Sequence, residues 1–339
     1  MNTKLVQSDE KGIQQAVELL QQGEVVAIPT ETVYGLAANA LDGKAVEKIF
    51  AAKGRPQDNP LIVHIDSIEM WKTLVDPLPP KAVQLAQAFW PGPLTIILRH
   101  KGTAAPEVCG GLDTIAVRMP SHPIAKEIIA KSGLPLAAPS ANLSGSPSPT
   151  EAKYVWQDMQ GRIPLVVDGG SCQVGVESTV VSLAEESPVL LRPGYITKEQ
   201  MEQVLGKPVK VAGAVTRMLE QGETALSPGM KYKHYAPNAE ITILKGDADQ
   251  YRNYINQHKE EGVAALCFEE DCRDLSVPVV VYGKEKDFDS QARELFSALR
   301  HLDEMGAKKV YARCPEVHGV ALAVYNRLLR AAAFRVVEL

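Results

Sequence analysis

Lys53-Gly54-Arg55-Pro56 sets two cations one residue apart on a backbone loosened by glycine and stiffened by proline. Such a pair suits a polyanion, the lysine as a point charge and the arginine as a planar fork. Cations at a helix end also make an ordinary solvated turn. The run Pro139-Ser140-Ala141-Asn142-Leu143-Ser144-Gly145-Ser146-Pro147-Ser148 crowds small donors between a strand and a helix. Ser148 with Glu151 has capping-box spacing, and Pro149 fits a first helical position. Ser140, Asn142, Ser144 and Ser146 are left over, either as a phosphate or ribose cradle or as a flexible loop. After the apolar run ending at Ile28 come Thr30, Glu31, Thr32 and Tyr34. These orient a small polar ligand, or else cap exposed backbone amides. Arg118 and His64 interrupt otherwise apolar strands. A buried arginine needs a carboxylate or an anionic ligand, whereas a histidine on a half-buried strand is ordinarily just satisfied there. Ser178 and Arg192 lie at opposite ends of neighbouring strand candidates and either join this set or serve each other's surroundings. Finally, residues 227–237 (SPGMKYKHYAP) hold two tyrosines, a histidine and two lysines framed by prolines. Linkers are normally polar and aromatic-poor, so this one packs on something, as interdomain glue or as a lid.

Polar residues that follow buried strands emerge together at one rim of a sheet, so the elements decide whether these groups meet. The first two hundred residues alternate β-rich runs with amphipathic stretches, the pattern of a mixed α/β sheet. Strands are expected at 25–29, 61–65, 94–98, 115–119, 136–139, 165–168, 178–183 and 189–192. Helices are expected at 13–22, 44–52, 79–89, 123–132 and 151–160. Strand follows strand between 95 and 119 and again between 166 and 192, so antiparallel pairs are mixed in. A helical reading over 198–221 gives way to the linker at 222–237. A second unit follows, with strands at 241–244, 263–268, 279–282 and 310–312 and helices at 248–261, 288–305 and 318–330. That alternation predicts a small parallel-sheet domain. It lacks a Gly-x-Gly-x-x-Gly after its first strand, so no nucleotide site is read there.

The chain has 339 residues, 45% hydrophobic and 23% charged, which excludes disorder and fibre and leaves room for two cores. Residues 1–205 carry 17 Lys+Arg against 22 Asp+Glu, and 206–339 carry 19 against 19. Neither half is basic, so bulk electrostatic binding to nucleic acid is not expected. No apolar run approaches the ~18 residues that span a bilayer, and residues 1–12 lack an apolar signal region. The expectation is a cytoplasmic protein with no membrane partner. Five cysteines (109, 172, 267, 272 and 314) without a Cys-x-x-Cys read as reduced and structural. Seven histidines without a His-x-x-x-His leave no protein-held metal expected.

In this order, PTETVYGL (29–36), KGRPQDNPL (53–61), PGPLT (91–95), TIAVRMP (114–120), APSANLSG (138–145) and GVESTV (175–180) resemble the L-threonylcarbamoyladenylate synthase family, whose catalytic module is the YrdC-like domain. The 227–237 linker and the second unit look like its two-domain form. The resemblance implies an α/β chain: a YrdC-like mixed twisted sheet with helices over 1–210, a linker or lid over 211–239, and a smaller Rossmann-like parallel-sheet accessory domain over 240–339. It implies condensation of L-threonine, bicarbonate and ATP to threonylcarbamoyl-AMP and pyrophosphate, for tRNA N6-threonylcarbamoyladenosine formation. Lys53, Arg55, Ser140 and Asn142 would then be the catalytic grip on phosphate and carbonate. Arg55, Ser140, Asn59, Thr114, Ser148, Arg192 and His234 would contact ATP, and Thr32, His64, Arg118 and Ser178 would contact threonine. Ser227, Pro228, Gly229, Tyr232 and Tyr235 would form the lid. Mg²⁺ would enter with ATP, with no tightly bound cofactor, and the product would pass to a tRNA threonylcarbamoyl transferase complex, direct tRNA binding not being required. An RNA-binding protein without turnover would instead need clustered surface cations, against which the acidic first half argues. Carbamoyl transfer, as in hydrogenase-maturation relatives, would need zinc-finger and acylphosphatase-like regions for which the chain has neither cysteines nor length.

Overall fold

The computed structural model describes residues 1–57, 59–217 and 235–339. In the first domain the strands are β1 (Lys4–Gln7), β2 (Val26–Ile28), β3 (Gly35–Asn39), β4 (Ile62–His64), β5 (Leu94–Arg99), β6 (Thr114–Arg118), β7 (Leu136–Ala137), β8 (Leu165–Asp168), β9 (Thr179–Ser182), β10 (Val189–Arg192) and β11 (Lys210–Val211). Its helices are α1 (Glu10–Gln21), α2 (Gly43–Lys53), α3 (Ile68–Leu74), α4 (Pro80–Phe89), α5 (Pro106–Cys109), α6 (Pro123–Ser132), α7 (Ala152–Met159) and α8 (Lys198–Leu205). Among the described residues the strands join in the order β1-β8-β2-β3-β7-β4-β6-β5-β9-β10-β11. The expected antiparallel pairs are β5 with β6 and β9 with β10.

Alternation along the strands feeds two cores. In β8, Leu165 and Val167 pack with Ile13, Val17 and Leu20 of α1 and Ile128 of α6, while Val166 between them packs with Val46 and Ile49 of α2 on the other face. Several elements depart from the sequence reading. β3 reads Gly-Leu-Ala-Ala-Asn, poor in β-branched residues, and is a strand because β2 and β7 pair with it from both sides. The helix expected over 198–221 ends at Leu205, where Gly206 takes the left-handed cap and Pro208 follows; β11 then pairs with β10. Ser148 does not cap α7, whose N-cap is Glu151, so Pro149 also lies outside the helix.

The second domain has strands β12 (Glu240–Lys245), β13 (Val263–Cys267), β14 (Val279–Val281), β15 (Lys309–Arg313) and β16 (Val336–Glu338). They pair in parallel throughout, in the order β14-β13-β15-β12-β16. Its helices are α9 (Ala248–Gln257), α10 (Phe288–Glu304) and α11 (Ala321–Ala331). Its core takes in Val33 and Val176 of the first domain together with Tyr235. α10 and α11 also anchor polar groups across the boundary. Arg300 pairs with Asp158 at 2.7 Å and donates to the Pro147 carbonyl at 2.6 Å. Asn326 donates to the Val215 carbonyl and Arg330 to that of Ala214. At Gly175 (φ +82°) an added Cβ would lie 2.3 Å from the Arg293 Cα, so α10 rests on this backbone with no room for a side chain.

Candidate active site

Where β2, β4 and β6 end, the polar residues that follow or close them face one hollow. β4 and β6 run in parallel with His64 beside Arg118, which puts both at the same rim. Gly54 closes α2 in the left-handed conformation, with the Arg55 amide returning to the Phe50 carbonyl. Lys53 and Arg55 thus face inward from either side of the helix end. The 138–146 loop is tied down by its backbone: Ala141 N–H to the Tyr34 carbonyl, Leu36 N–H to that of Pro139 and Ser144 N–H to that of Lys53. The loop is therefore held in one shape. β9 and β10 are antiparallel, so Ser178 before one and Arg192 at the end of the other meet.

The hollow leaves about 70 Å³ open to the centres of water-sized groups, enough for several ordered waters that a ligand would displace. Thr32, Lys53, Arg55, His64, Arg118, Ser140, Asn142, Ser178, Arg192 and Tyr235 all line it. Three expected contacts stand elsewhere. Thr114 opens β6, at the opposite end of that strand from Arg118, and does not line the hollow. Asn59 is fully buried behind Arg55, whose guanidinium donates to its carbonyl at 3.2 Å. Ser148 is also behind the lining and donates its hydroxyl to Glu177 Oε1 at 2.6 Å. His234, Ser227, Pro228, Gly229 and Tyr232 lie outside the described residues. Tyr235 is buried, lines the hollow and stacks obliquely on Phe296 of α10, with 5.3 Å between ring centroids.

Four cations line the hollow although the chain as a whole is acidic. The Lys53 ammonium donates to the carbonyls of Ser140 and Asn142, which leaves one of its three donors for a ligand. Burial, and then Arg55 nearby, hold its pKa well below the ordinary lysine value. The Arg118 guanidinium pairs with Glu31 at 2.6 Å and donates to the Thr32 hydroxyl at 2.9 Å. Thr32 is in turn fixed by Thr30 at 2.9 Å. Glu31 is nearly buried, which pushes its pKa up, but the charge and hydrogen bond of Arg118 prevail and hold it below the usual carboxylate value. Burial, and then Arg118, push His64 down to about 3, so its ring is neutral near pH 7. Arg192 donates to the Ser178 carbonyl at 3.0 Å and to its hydroxyl at 3.2 Å, and that hydroxyl also meets Thr95 at 2.8 Å. Such a lining can hold a small carboxylate at one end and a polyphosphate at the other.

Two acids were given no individual role from the sequence, Glu31 being read only within the polar run after Ile28. Glu31 is the carboxylate that Arg118 required, and it sits in the quoted Pro29–Leu36 motif. Glu177 lines the hollow and pairs with Arg327 of α11 at 2.9 Å. The sequence carried no signal for that second partner.

A family model described as "Telomere recombination" (Sua5/YciO/YrdC) matches residues 18–194, and one described as "Threonylcarbamoyl-AMP synthase, C-terminal domain" matches 196–333. The chain is 48% identical to a Bacillus subtilis protein named threonylcarbamoyl-AMP synthase, over 99% of this chain and 97% of that one. It is 45% identical to one of the same name from Pyrococcus abyssi, over 97% and 96%. A crystal structure of P. abyssi Sua5 complexed with L-threonine superposes with a TM-score of 0.92 at 44% identity, covering 99% of this chain and all of that one.

Proposed function

From the premise that this chain belongs to the Sua5/YciO/YrdC family and has its threonylcarbamoyl-AMP synthase C-terminal domain, we propose that it condenses L-threonine, bicarbonate and ATP to threonylcarbamoyl-AMP and pyrophosphate. The observation that carries this reading is the convergence of Lys53, Arg55, Arg118, Ser140 and Ser178 on one hollow, from four separate segments of chain.

The threonine carboxylate goes to Arg118 and Ser178, with Thr32 and His64 meeting the amine and hydroxyl. The Glu31 pair and the Thr30–Thr32 bond hold Arg118 and Thr32 before substrate arrives, so little order is lost on binding. The threonine amine attacks the carbon of bicarbonate, water leaves, and a carbamate forms. A carbamate oxygen then attacks the α-phosphorus of ATP and the bond to pyrophosphate breaks. Negative charge builds on the phosphate oxygens in that step, and Lys53, Arg55 and Ser140 stabilise it. Both Asn142 amide hydrogens are already given to the Leu143 and Ser146 carbonyls, so that side chain shapes the loop. His64, at about 3, is too weak a base to take the amine proton near pH 7. Bicarbonate, water or substrate phosphate takes that proton instead. Arg192 acts on ATP while tied to Ser178. Asn59 acts through Arg55, and Ser148 through Glu177. Mg²⁺ would accompany ATP as its counter-ion, with phosphate and water as ligands, since Glu177 is already engaged by Arg327 and Ser148. Among the described residues no helix is long and apolar enough to cross a membrane. We place the reaction in the cytoplasm, with the labile product passed to the enzyme that modifies tRNA.

The test is incubation with ATP, bicarbonate and L-threonine, following pyrophosphate and an AMP-linked product, with L-serine and no amino acid as controls. Pyrophosphate released without regard to threonine overturns the assignment.

A further inference from the structure

We propose that Arg327, on α11 of the second domain, is a positioning residue for the nucleotide end of the hollow: it neutralises Glu177 and holds that carboxylate onto Ser148. The proposal rests on the reading above that the hollow takes ATP.

Arg327 is fully buried and pairs with Glu177 at 2.9 Å through Nε, while Nη2 donates to the Glu177 carbonyl at 3.2 Å. The guanidinium also binds the Pro193 carbonyl, next to Arg192. It therefore fixes both the 177–178 turn and the end of β10, the two pieces that carry Ser178 and Arg192. Glu177 is the carboxylate of the lining, and the hollow otherwise presents Lys53, Arg55, Arg118 and Arg192. The groups facing it are Arg327, Arg192, Ser148, Lys53 and the Tyr235 phenol. Burial alone would push the Glu177 pKa up; Arg327 and then Arg192 prevail and keep it below the ordinary value. Left unpaired, this anion would stand in the path of a triphosphate and draw Arg192 and Lys53 toward itself. At the effective dielectric of a protein interior that repulsion weakens ATP binding by about tenfold or more. The second domain thus supplies a charge on which the first domain's site depends.

The test uses the full chain and measures ATP affinity by titration alongside kcat and the KM values for ATP and threonine. Arg327→Met is expected to weaken ATP by about tenfold and to raise the KM for threonine by less, because Arg192 and Thr95 still hold Ser178. In Glu177→Gln/Arg327→Met the amide still accepts from Ser148 and the anion is gone, so most of the ATP affinity returns. Unchanged ATP affinity in Arg327→Met, or a double variant as weak as the single one, overturns the proposal. Should Arg327→Met fail to fold, Glu177→Gln is compared with the double variant. Equal affinities support the proposal, and a tenfold difference shows that Arg327 acts only as scaffold. A wild-type chain without threonine-dependent pyrophosphate release sinks the functional reading, and the titration still decides the role of Arg327.

Discussion

Substituting Gly175 by alanine is expected to loosen the second domain from the site, and Gly170 supplies the matched control. Both glycines sit in the 168–178 segment with nearly the same φ, +82° at Gly175 and +80° at Gly170. Placing an L-residue there costs about 1–2 kcal/mol in either case. They differ in what a Cβ would meet. At Gly170 nothing lies within 4 Å, whereas at Gly175 the Cα and carbonyl oxygen of Arg293 and the Ala292 carbonyl oxygen lie at 2.3, 2.8 and 2.5 Å. Backbone cannot rotate away as a side chain tip can, so α10 must retreat from 2.3 Å toward the 3.4 Å of an ordinary contact. Overpacking of this kind adds about 1–3 kcal/mol, which at about 2–4 °C per kcal/mol lowers the melting temperature by several degrees beyond the control. The retreat also carries Tyr235, packed on Phe296, away from the hollow. Gly175→Ala should therefore lose threonine-dependent turnover as well as stability, while Gly170→Ala loses stability alone. Differential scanning calorimetry and a pyrophosphate release assay on both variants measure the two effects. Equal melting temperatures and equal turnover in the pair would refute the tight docking of α10 on the site.

Two other expectations concern buried charge. Arg118→Met strands Glu31 and should cost about 3–5 kcal/mol of stability. Glu31→Gln/Arg118→Met should recover most of that in urea titration yet remain unable to bind threonine, and threonine binding that returned with stability would show that Arg118 merely neutralises Glu31. His64 has its folded pKa depressed to about 3 against about 6.5 unfolded. Its contribution to stability is thus complete above about pH 6.5 and is lost as pH falls toward 3, reaching about 2 kcal/mol by pH 5. His64→Gln should flatten that acid limb in urea midpoints taken from pH 7 to 4; an unchanged slope would mean that the ring titrates no lower in the native protein than in the unfolded chain.

The sequence signalled residues whose local setting was odd, and missed those whose meaning depends on a distant partner. Arg118 was legible because a cation in an apolar strand demands explanation, and the structure supplies Glu31 as its partner. Lys53 and Arg55 were legible from the helix end and the Gly-Pro frame around them. Ser148 was misread because capping-box spacing is a local rule, whereas its hydroxyl is claimed by Glu177, 29 positions on. Glu177 itself escaped attention because its partner lies 150 positions away in another domain. Among the elements, β8 and β10 matched their expected bounds through Leu-Val-Val and Val-Leu-Leu runs. β1 did not stand out, since Lys4–Gln7 is mostly exposed and becomes a strand only by lying beside β8.

The first strand of the chain cannot find its place until the eighth has been made: Lys4 is aligned with Leu165, and the opening 160 residues wait for that edge. The same delay recurs on a larger scale, since Glu177 meets its counter-charge only when residue 327 has left the ribosome. Translation emits a chain at about 5–20 residues each second, so a polypeptide released before residue 327 has Lys53 and Arg55 but still carries Glu177 without that counter-charge. On the role proposed for Arg327, fragments that stop before that residue would hold nucleotide poorly.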